Sequence, residues 1–223
     1  DLLRSHGLKI ATGEVVTLLE DYARPDPAWS ANIVAAHRNP WAAVGGAIEN
    51  AIDRPLNWAV YFCDFGKYQN PLPVGPTPFA SDINTSYKRA ALEAIRPVWS
   101  DSFREIVVNG ALIERGEGVV LDPRIVVRHH RADLGLFFAL RERFIWGRSY
   151  AVTRSTIIGH ARRYLYAVLS LSLPFLLLAR MARTTWSRGR NSAAFLRAVP
   201  HLVPLLIFWS VGEMVGYLSP EEP

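Results

Sequence analysis

Two strongly apolar segments near the carboxyl terminus constrain the fold of this chain most. Residues 164–179 contain the run YAVLSLSLPFLLLA, and residues 195–218 are mostly apolar but include Arg197, His201 and Glu213. A full membrane span needs roughly 20 apolar residues. The first segment is therefore short for a span, and the second is long enough for one.

The charges beside these segments predict how they meet a membrane. Arg162 and Arg163 precede the first segment, and the run RMARTTWSRGR at residues 180–190 separates the two. Because cationic loops prefer the cytoplasmic side, we predict a helical hairpin that dips into one leaflet, bends at Pro174 and keeps both flanks in the cytoplasm. Two crossing helices and a buried helical pair in a soluble protein stay open as alternatives.

Residues 132–160 precede the apolar segments and are predicted to form an amphipathic helical region. Leu136, Leu140 and Phe144 recur at helical spacing, and arginines interleave with them. A basic, aromatic helix of this kind lies on a membrane surface, but an ordinary helix packed on a sheet has the same pattern. Both interpretations stay open.

Charge and cysteine content narrow the function classes. The net charge is +5, which suits either nucleic acid or an anionic membrane. Most of the excess arginine lies after Arg124, beside apolar segments, and no soluble helix carries a basic stripe with base-reading residues. We therefore expect a membrane partner and no nucleic acid. The single cysteine, Cys63, excludes an intrachain disulfide and a cysteine-based zinc site, and it fits a reducing compartment.

Apolar runs in the first 131 residues predict the strands of an α/β domain. EVVTLL at residues 14–19 predicts a buried strand of the parallel type that runs into Glu20 and Asp21. AAVGGAI at residues 42–48 predicts a second strand, and residues 119–128 predict one or two more, broken at Pro123 and followed by His129. Open α/β sheets bind ligands at the carboxyl ends of their strands, so these polar residues are candidate site residues.

Helices and one proline-rich loop are expected between the strands. A helix capped by Asp26 is predicted to reach about His37, and bulky apolar groups at residues 57–65 recur at helical spacing. Residues 67–78 are rich in proline and predict a loop that forms a mobile wall over a site. A further helix is expected to end at Gly116.

Residues 81–105 are expected to carry chemistry. The polar run SDINTS predicts a turn, and Tyr87, Lys88 and Arg89 are predicted to start a short helix. Asp101 and Glu105 lie four residues apart, a spacing that puts both carboxylates on one face of a helix. This arrangement suits a hydroxylated, anionic substrate, although a solvated surface helix has the same composition.

Taken in order, these motifs resemble the family 2 glycosyltransferases of the GT-A fold. The matching runs are ATGEVVTLLEDYARPDPAW, AAVGGAIEN, DINTSYKRAAL and DSFREIVVNGALIERGEGVVLDPRIVVRHH, and FIWGRSYA with the apolar tail is similar to membrane-associated members. The resemblance implies a partial GT-A-type, Rossmann-like mixed sheet with flanking helices in residues 1–131. It implies an interfacial region in residues 132–160 and two apolar membrane-associated helices in residues 161–223. It also implies that the strands holding the donor's base and ribose lie ahead of this chain, which alone would be an incomplete enzyme.

The resemblance implies a donor site at the end of the first strand. Glu20 and Asp21 match the family's acidic motif, which holds a divalent cation, Mg²⁺ or Mn²⁺, on the donor diphosphate. Tyr22 stands where that motif places its last aspartate, and a phenol is a poor ligand for a hard cation. The departure shifts the expected metal ligands to Asp21 and His129, with the adjacent histidine as the alternative. Arg148 is implied to meet an anionic headgroup or the leaving diphosphate.

An acceptor site is implied by the later motifs. Glu105 matches the general base that takes the proton of the acceptor hydroxyl, and Asp101 is the alternative. Asn84, Tyr87 and Lys88 match a segment that lines the sugar and acceptor pocket.

The expected activity is transfer of a sugar from a nucleotide-sugar donor to a lipid-linked or polysaccharide acceptor of the cell envelope. The expected place is the cytoplasmic face of a bacterial-type inner membrane. A rival of another class is a non-catalytic membrane assembly subunit with a degenerate glycosyltransferase fold, which Tyr22 favours.

Overall fold

The computed structural model of the chain describes residues 2–219. They divide into two compact units, one made of residues 2–51 and 68–130, the other of residues 52–67 and 131–219. Residues 52–67, which the sequence placed with the rest of residues 1–131, are thus grouped with the carboxyl-terminal helices.

The first unit is built on one mixed sheet. Its strands, as far as the structure describes the chain, are β1 (Val15–Leu19), β2 (Ala23–Pro25), β3 (Trp41–Asn50), β4 (Gly75–Pro76), β5 (Asn84–Lys88) and β6 (Gly118–His129). The order across the sheet is β1-β5-β3-β6-β2, with β4 added on β6. Only the β3–β6 pairing is parallel among these strands of residues 2–219. Consequently β1, β3 and β6 point the same way, and their carboxyl ends share one edge.

The predicted strands are present, but one has a different role. Residues 42–48 lie inside β3 and are buried throughout, as expected for a central strand covered on both faces. β1, in contrast, is a half-exposed edge strand that pairs antiparallel with β5. The prediction of a buried parallel strand was wrong because a short apolar run does not reveal the direction of its partner.

Helices cover the sheet of the first unit. Their bounds are α1 (Leu2–Ile10), α2 (Trp29–Ala36), α4 (Arg89–Ala94), α5 (Arg96–Trp99) and α6 (Glu105–Glu114). Ile33 of α2 packs with Val44 of β3 and Ile125 of β6 in a buried cluster. Asp26 does not cap α2, whose N-cap is Ala28; its carboxylate instead binds Arg128 at 2.9 Å.

The region 81–105 differs most from its prediction. Residues 84–88 form β5, a strand between β1 and β3. The predicted turn is confined to residues 81–84, where the N–H of Asn84 donates to the carbonyl of Ser81 at 3.0 Å. The predicted short helix is α4, but it begins at Arg89 and not at Tyr87. α5 ends at Trp99 and α6 begins at Glu105, so Asp101 lies in the connection and shares no helix face with Glu105. Spacing alone could not show this, because the i, i+4 rule holds only inside one helix.

β6 is one strand with a bulge at the predicted break. Gly46 pairs with Asp122, whereas the next residue of β3, Ala47, pairs with Val126. Residues 123–125 are therefore extra on β6. Pro123 begins this insertion, as expected because proline has no N–H to donate to a ladder.

The second unit is helical. Its helices are α3 (Pro55–Asp64), α7 (Leu136–Ser155), α8 (His160–Ser170), α9 (Leu173–Ser187) and α10 (Ser192–Leu218). The predicted helix at residues 57–65 is confirmed by α3. The predicted hairpin of two helices consists of three helices, α8, α9 and α10. α8 and α9 are separate helices, with a bend of 64° between them just before Pro174.

Glycines let α7 and α10 approach backbone to backbone. A Cβ on Gly147 would collide with the carbonyl of Trp209, and a Cβ on Gly212 with the carbonyl of Phe144. The buried residues of α7 include Ala139, Arg143, Gly147 and Ala151, which recur every four residues along one face. That face of α7 packs on α10. Contact of α7 with a membrane surface stays a prediction.

Among the described residues, α10 is long and apolar enough to cross a membrane, with a mean hydropathy of 1.6 in its most apolar window. The bent pair α8–α9 meets the same criterion only if it is taken as one span. In α10, 39% of that window is buried within the protein, and core helices of soluble proteins share this length and composition.

Candidate functional site

The turn between β1 and β2 meets the end of β6. This turn holds Glu20, Asp21 and Tyr22, and Ala23 immediately after it pairs with His129. The backbone N–H of His130 donates to the carbonyl of Tyr22 at 2.7 Å. Backbone pairing therefore fixes the acidic turn against the histidine doublet.

Glu20 and His129 form a carboxylate–imidazole pair. Glu20 Oε2 lies 4.0 Å from His129 Nε2, and the side chains are 35% and 9% exposed. The ring of Tyr22 approaches the His129 ring edge-on, with 6.1 Å between centroids. The pair thus sits at the carboxyl ends of β1 and β6, where open α/β sheets bind ligands.

The donor atoms of this pair fit a divalent cation. Ligand atoms lie roughly 2.0–2.2 Å from such ions, so two ligands of one ion are at most about 4.3 Å apart. The observed 4.0 Å is within that limit only for ligands on nearly opposite sides of the ion, and of the two groups the carboxylate is the one that suits Mn²⁺. Across residues 2–219, however, no group of three or more His, Cys, Asp or Glu side chains is placed to hold a metal. Asp21 is exposed, and its Oδ1 accepts the N–H of Tyr22 at 3.1 Å; its role as a ligand stays a prediction.

The end of β3 belongs to the same edge and was missed from the sequence. Asn50 pairs with His129, and Glu49 pairs with Arg128. Glu49 Oε1 also accepts the backbone N–H of Asn70 at 3.3 Å. The run AAVGGAIEN has the same form as EVVTLLED, an apolar strand followed by a carboxylate, and this parallel would have identified Glu49.

Asn84 is a buried clamp inside the sheet. Its amide nitrogen donates to the carbonyls of Ala47 at 2.9 Å and Ile125 at 3.0 Å. Its amide oxygen accepts the indole N–H of Trp29 at 2.9 Å. The side chain is 1% exposed, and Gly46 leaves room for it, since a Cβ there would collide with the amide nitrogen. The structure thus gives Asn84 a packing role, and contact with a sugar stays a prediction.

Tyr87 and Lys88 also make contacts within the first unit. The Tyr87 hydroxyl donates to Asn109 Oδ1 at 3.0 Å, and its ring is fully buried. Lys88 Nζ donates to the carbonyl of Asn39 at 2.7 Å. Lys88 is half-buried, so of these two predicted pocket residues it is the one with an accessible side chain.

Glu105 is the first residue of α6, where the helix dipole favours a negative charge. Burial raises the pKa of the Tyr68 phenol, and the charges of Glu105 and Asp82 raise it further. The pKa of Tyr87 is raised by burial and by the same carboxylates. The charge of Glu105 therefore acts on two phenols, Tyr68 and Tyr87. The sequence predicted Tyr87 as a site residue but not Tyr68. Asp101 is exposed, beside the Ser100 hydroxyl at 3.4 Å.

Arg148 belongs to the second unit. It is half-buried on α7, at the crossing with α10, where its backbone carbonyl faces Gly216. Its predicted contact with a headgroup or diphosphate stays a prediction.

No protein-family model matches the chain, and no curated protein matches it either. Among solved structures, the chain is similar to the mannosyltransferase PcManGT from Pyrobaculum calidifontis, which was solved in complex with GDP-Man and Mn²⁺. The identity is 19%, the TM-score is 0.49, and the match covers 93% of this chain. The chain spans 64% of the length of that protein.

Proposed function

We propose that the chain is part of a glycosyltransferase that moves a sugar from a nucleotide-sugar donor to a lipid-linked or polysaccharide acceptor. The observation that carries the proposal is the meeting of Glu20 with His129 at the carboxyl ends of β1 and β6. Together with the ordered motifs that resemble family 2 enzymes, this pair favours a diphosphate site over a plain surface turn. Membrane association and a cytoplasmic active site belong to the same proposal.

The donor diphosphate would lie against the acidic turn. Glu20 and His129 would hold the divalent cation, with Asp21 as a further ligand, and the cation would neutralise the charge on the leaving diphosphate. Tyr22 beside His129 would restrict the orientation of the imidazole. Arg148 would add positive charge for a headgroup or the leaving diphosphate.

Glu105 would act as the general base. Its carboxylate would take the proton of the acceptor hydroxyl while the acceptor oxygen forms a bond to the anomeric carbon and the bond to the diphosphate breaks. The start of α6 stabilises the ionised carboxylate that this role needs. Asp101 is the alternative base, and Lys88 is the predicted pocket residue best placed to meet a substrate hydroxyl.

The test compares two carboxylates of one helix in the full-length protein. Glu105→Gln should lower sugar transfer with Mn²⁺ by about 100-fold or more, since a general base contributes at least that much. Donor affinity, measured by calorimetry, should be unchanged. Glu114→Gln at the exposed end of α6 is the matched control and should keep full activity. Equal turnover of the two variants would remove Glu105 from the mechanism.

The second candidate function is a non-catalytic assembly subunit. It is favoured by Tyr22, which replaces an acidic ligand of the family motif. In that case the full-length protein should show no Mn²⁺-dependent release of sugar from any nucleotide-sugar donor. Donor hydrolysis that requires Mn²⁺ and falls in Glu20→Gln would decide for the enzyme.

A further inference from the structure

A cavity of about 190 Å³ lies in the second unit between α3 and α9. Its lining residues come from the end of α3, the turn that follows it and the middle of α9: Phe62, Cys63, Asp64, Gly66, Lys67, Leu177, Arg180, Met181 and Thr184. A water molecule takes about 30 Å³ of liquid, so the space suits a group of several heavy atoms.

The charge around this cavity is positive. Asp64 is the one carboxylate of its lining, and both of its oxygens accept guanidinium N–H groups of Arg143 at 2.6 Å. Arg143 is buried, and this bidentate pair compensates the carboxylate from within the protein. Lys67 and Arg180 add two more cationic groups to the lining. A bound anion would therefore meet two cations, Lys67 and Arg180, and one carboxylate that is already paired with Arg143.

One wall of the cavity is apolar. Leu177 and Met181 stand one turn apart on α9, and Phe62 faces them from α3. Phe175 and Leu176 of the same helix are 77% and 61% exposed but do not line the cavity. An apolar wall opposite cationic groups suits an amphiphile, in which an alkyl chain continues from a charged head.

We propose that this cavity binds the phosphate head of a lipid phosphate. Arg180 donates hydrogen bonds in the planar geometry that phosphate accepts, and Lys67 supplies a point charge. The Thr184 hydroxyl already donates to the carbonyl of Arg180 at 3.0 Å, so it supplies no hydrogen bond to the phosphate. Leu177 and Met181 contact the first carbons of the chain.

The test measures binding of dodecyl phosphate and of inorganic phosphate to the full chain in an uncharged detergent, by ³¹P NMR and calorimetry. Arg180→Gln should weaken dodecyl phosphate binding by about tenfold or more, because a charge-assisted hydrogen bond contributes at least that much. Arg183→Gln removes an exposed arginine of the same helix that does not line the cavity, and it should leave binding unchanged. Lys67→Gln is a second variant with the expected loss.

The outcomes separate the sources of phosphate. Tight binding of dodecyl phosphate with weak binding of inorganic phosphate supports the lipid. Equal binding of both probes, with loss in Arg180→Gln, would assign the cavity to free phosphate and overturn the lipid. No binding, or equal losses in Arg180→Gln and Arg183→Gln, would overturn the site itself.

Discussion

The clamp made by Asn84 gives a prediction whose magnitude can be worked from three hydrogen bonds. Asn84→Ala removes both donors to the carbonyls of Ala47 and Ile125 and the acceptor of the Trp29 indole. Each buried group left without its partner costs about 1–3 kcal/mol. We take the low end because alanine leaves space for water, and expect the free energy of unfolding to fall by about 3 kcal/mol.

Two further variants divide this total. Trp29→Phe removes only the indole donor, so it should cost about 1 kcal/mol. Asn84→Asp keeps the shape but places a carboxylate against two carbonyl oxygens, and it should destabilise more than alanine at neutral pH. Lower pH should reduce that excess, since a protonated aspartate regains one donor.

The measurement is the urea midpoint of the full chain in an uncharged detergent, followed by pulse proteolysis. A shifted midpoint with an unchanged slope would report stability rather than a change of the unfolded state. If Asn84→Ala unfolds within about 0.5 kcal/mol of the parent, the clamp does not stabilise the sheet and the reasoning fails. The same holds if Trp29→Phe costs as much as Asn84→Ala.

The remaining predictions concern pH and helix packing. Burial and the charge of Lys88 lower the pKa of His37 below 6.5. The unfolded chain therefore binds more protons than the folded chain, and the free energy of unfolding should fall as pH drops below about 6.5. This group can contribute at most about 1.4 kcal/mol per pH unit. His37→Gln should remove that part of the slope in urea titrations at several pH values, and an unchanged slope would contradict the cause. Gly212→Ala should destabilise the second unit, because its Cβ meets the backbone of Phe144. Gly110→Ala on α6, where nothing lies within 4 Å, should instead stabilise by about 1 kcal/mol, and thermal unfolding of both variants should show opposite signs.

Apolar runs predicted elements well where burial alone decides the structure. β3 and α3 have the extents that their apolar residues indicate, because one is buried throughout and the other packs through a stripe of aromatic rings. α6 ends at Glu114, and Gly116 follows with a positive φ of 78°, as a helix-terminating glycine should.

Polar residues misled the prediction where tertiary contacts satisfy them. The residues of β5 are mostly turn-formers by composition, yet each of its first three side chains is buried and hydrogen-bonded. Asn84 binds two carbonyls, Thr85 binds the carbonyl of Ser81, and Ser86 binds the carbonyl of Val44. Partners as far as 55 residues away leave no local signal, so the sequence of a polar central strand resembles that of a loop.

The candidate site was predictable in its residue types but not in its pairing. Carboxylates after β1 and histidine after β6 follow from the strand-end rule. The rule does not say that Glu20, rather than Asp21, reaches His129, because this depends on how β2 pairs with β6. That pairing involves residues about 100 positions apart.

The position of His129 depends in turn on the bulge in β6. Three residues, 123–125, are skipped between the pairs Gly46–Asp122 and Ala47–Val126. Without the bulge, Asn50 would pair with Val126, and an odd shift would turn every later side chain of β6 to the other face. Asn84 binds the carbonyl of Ile125, the last residue of the bulge, and the carbonyl of Ala47 across from it. Through these two hydrogen bonds, Asn84 therefore stabilises the register that brings Glu20 and His129 together.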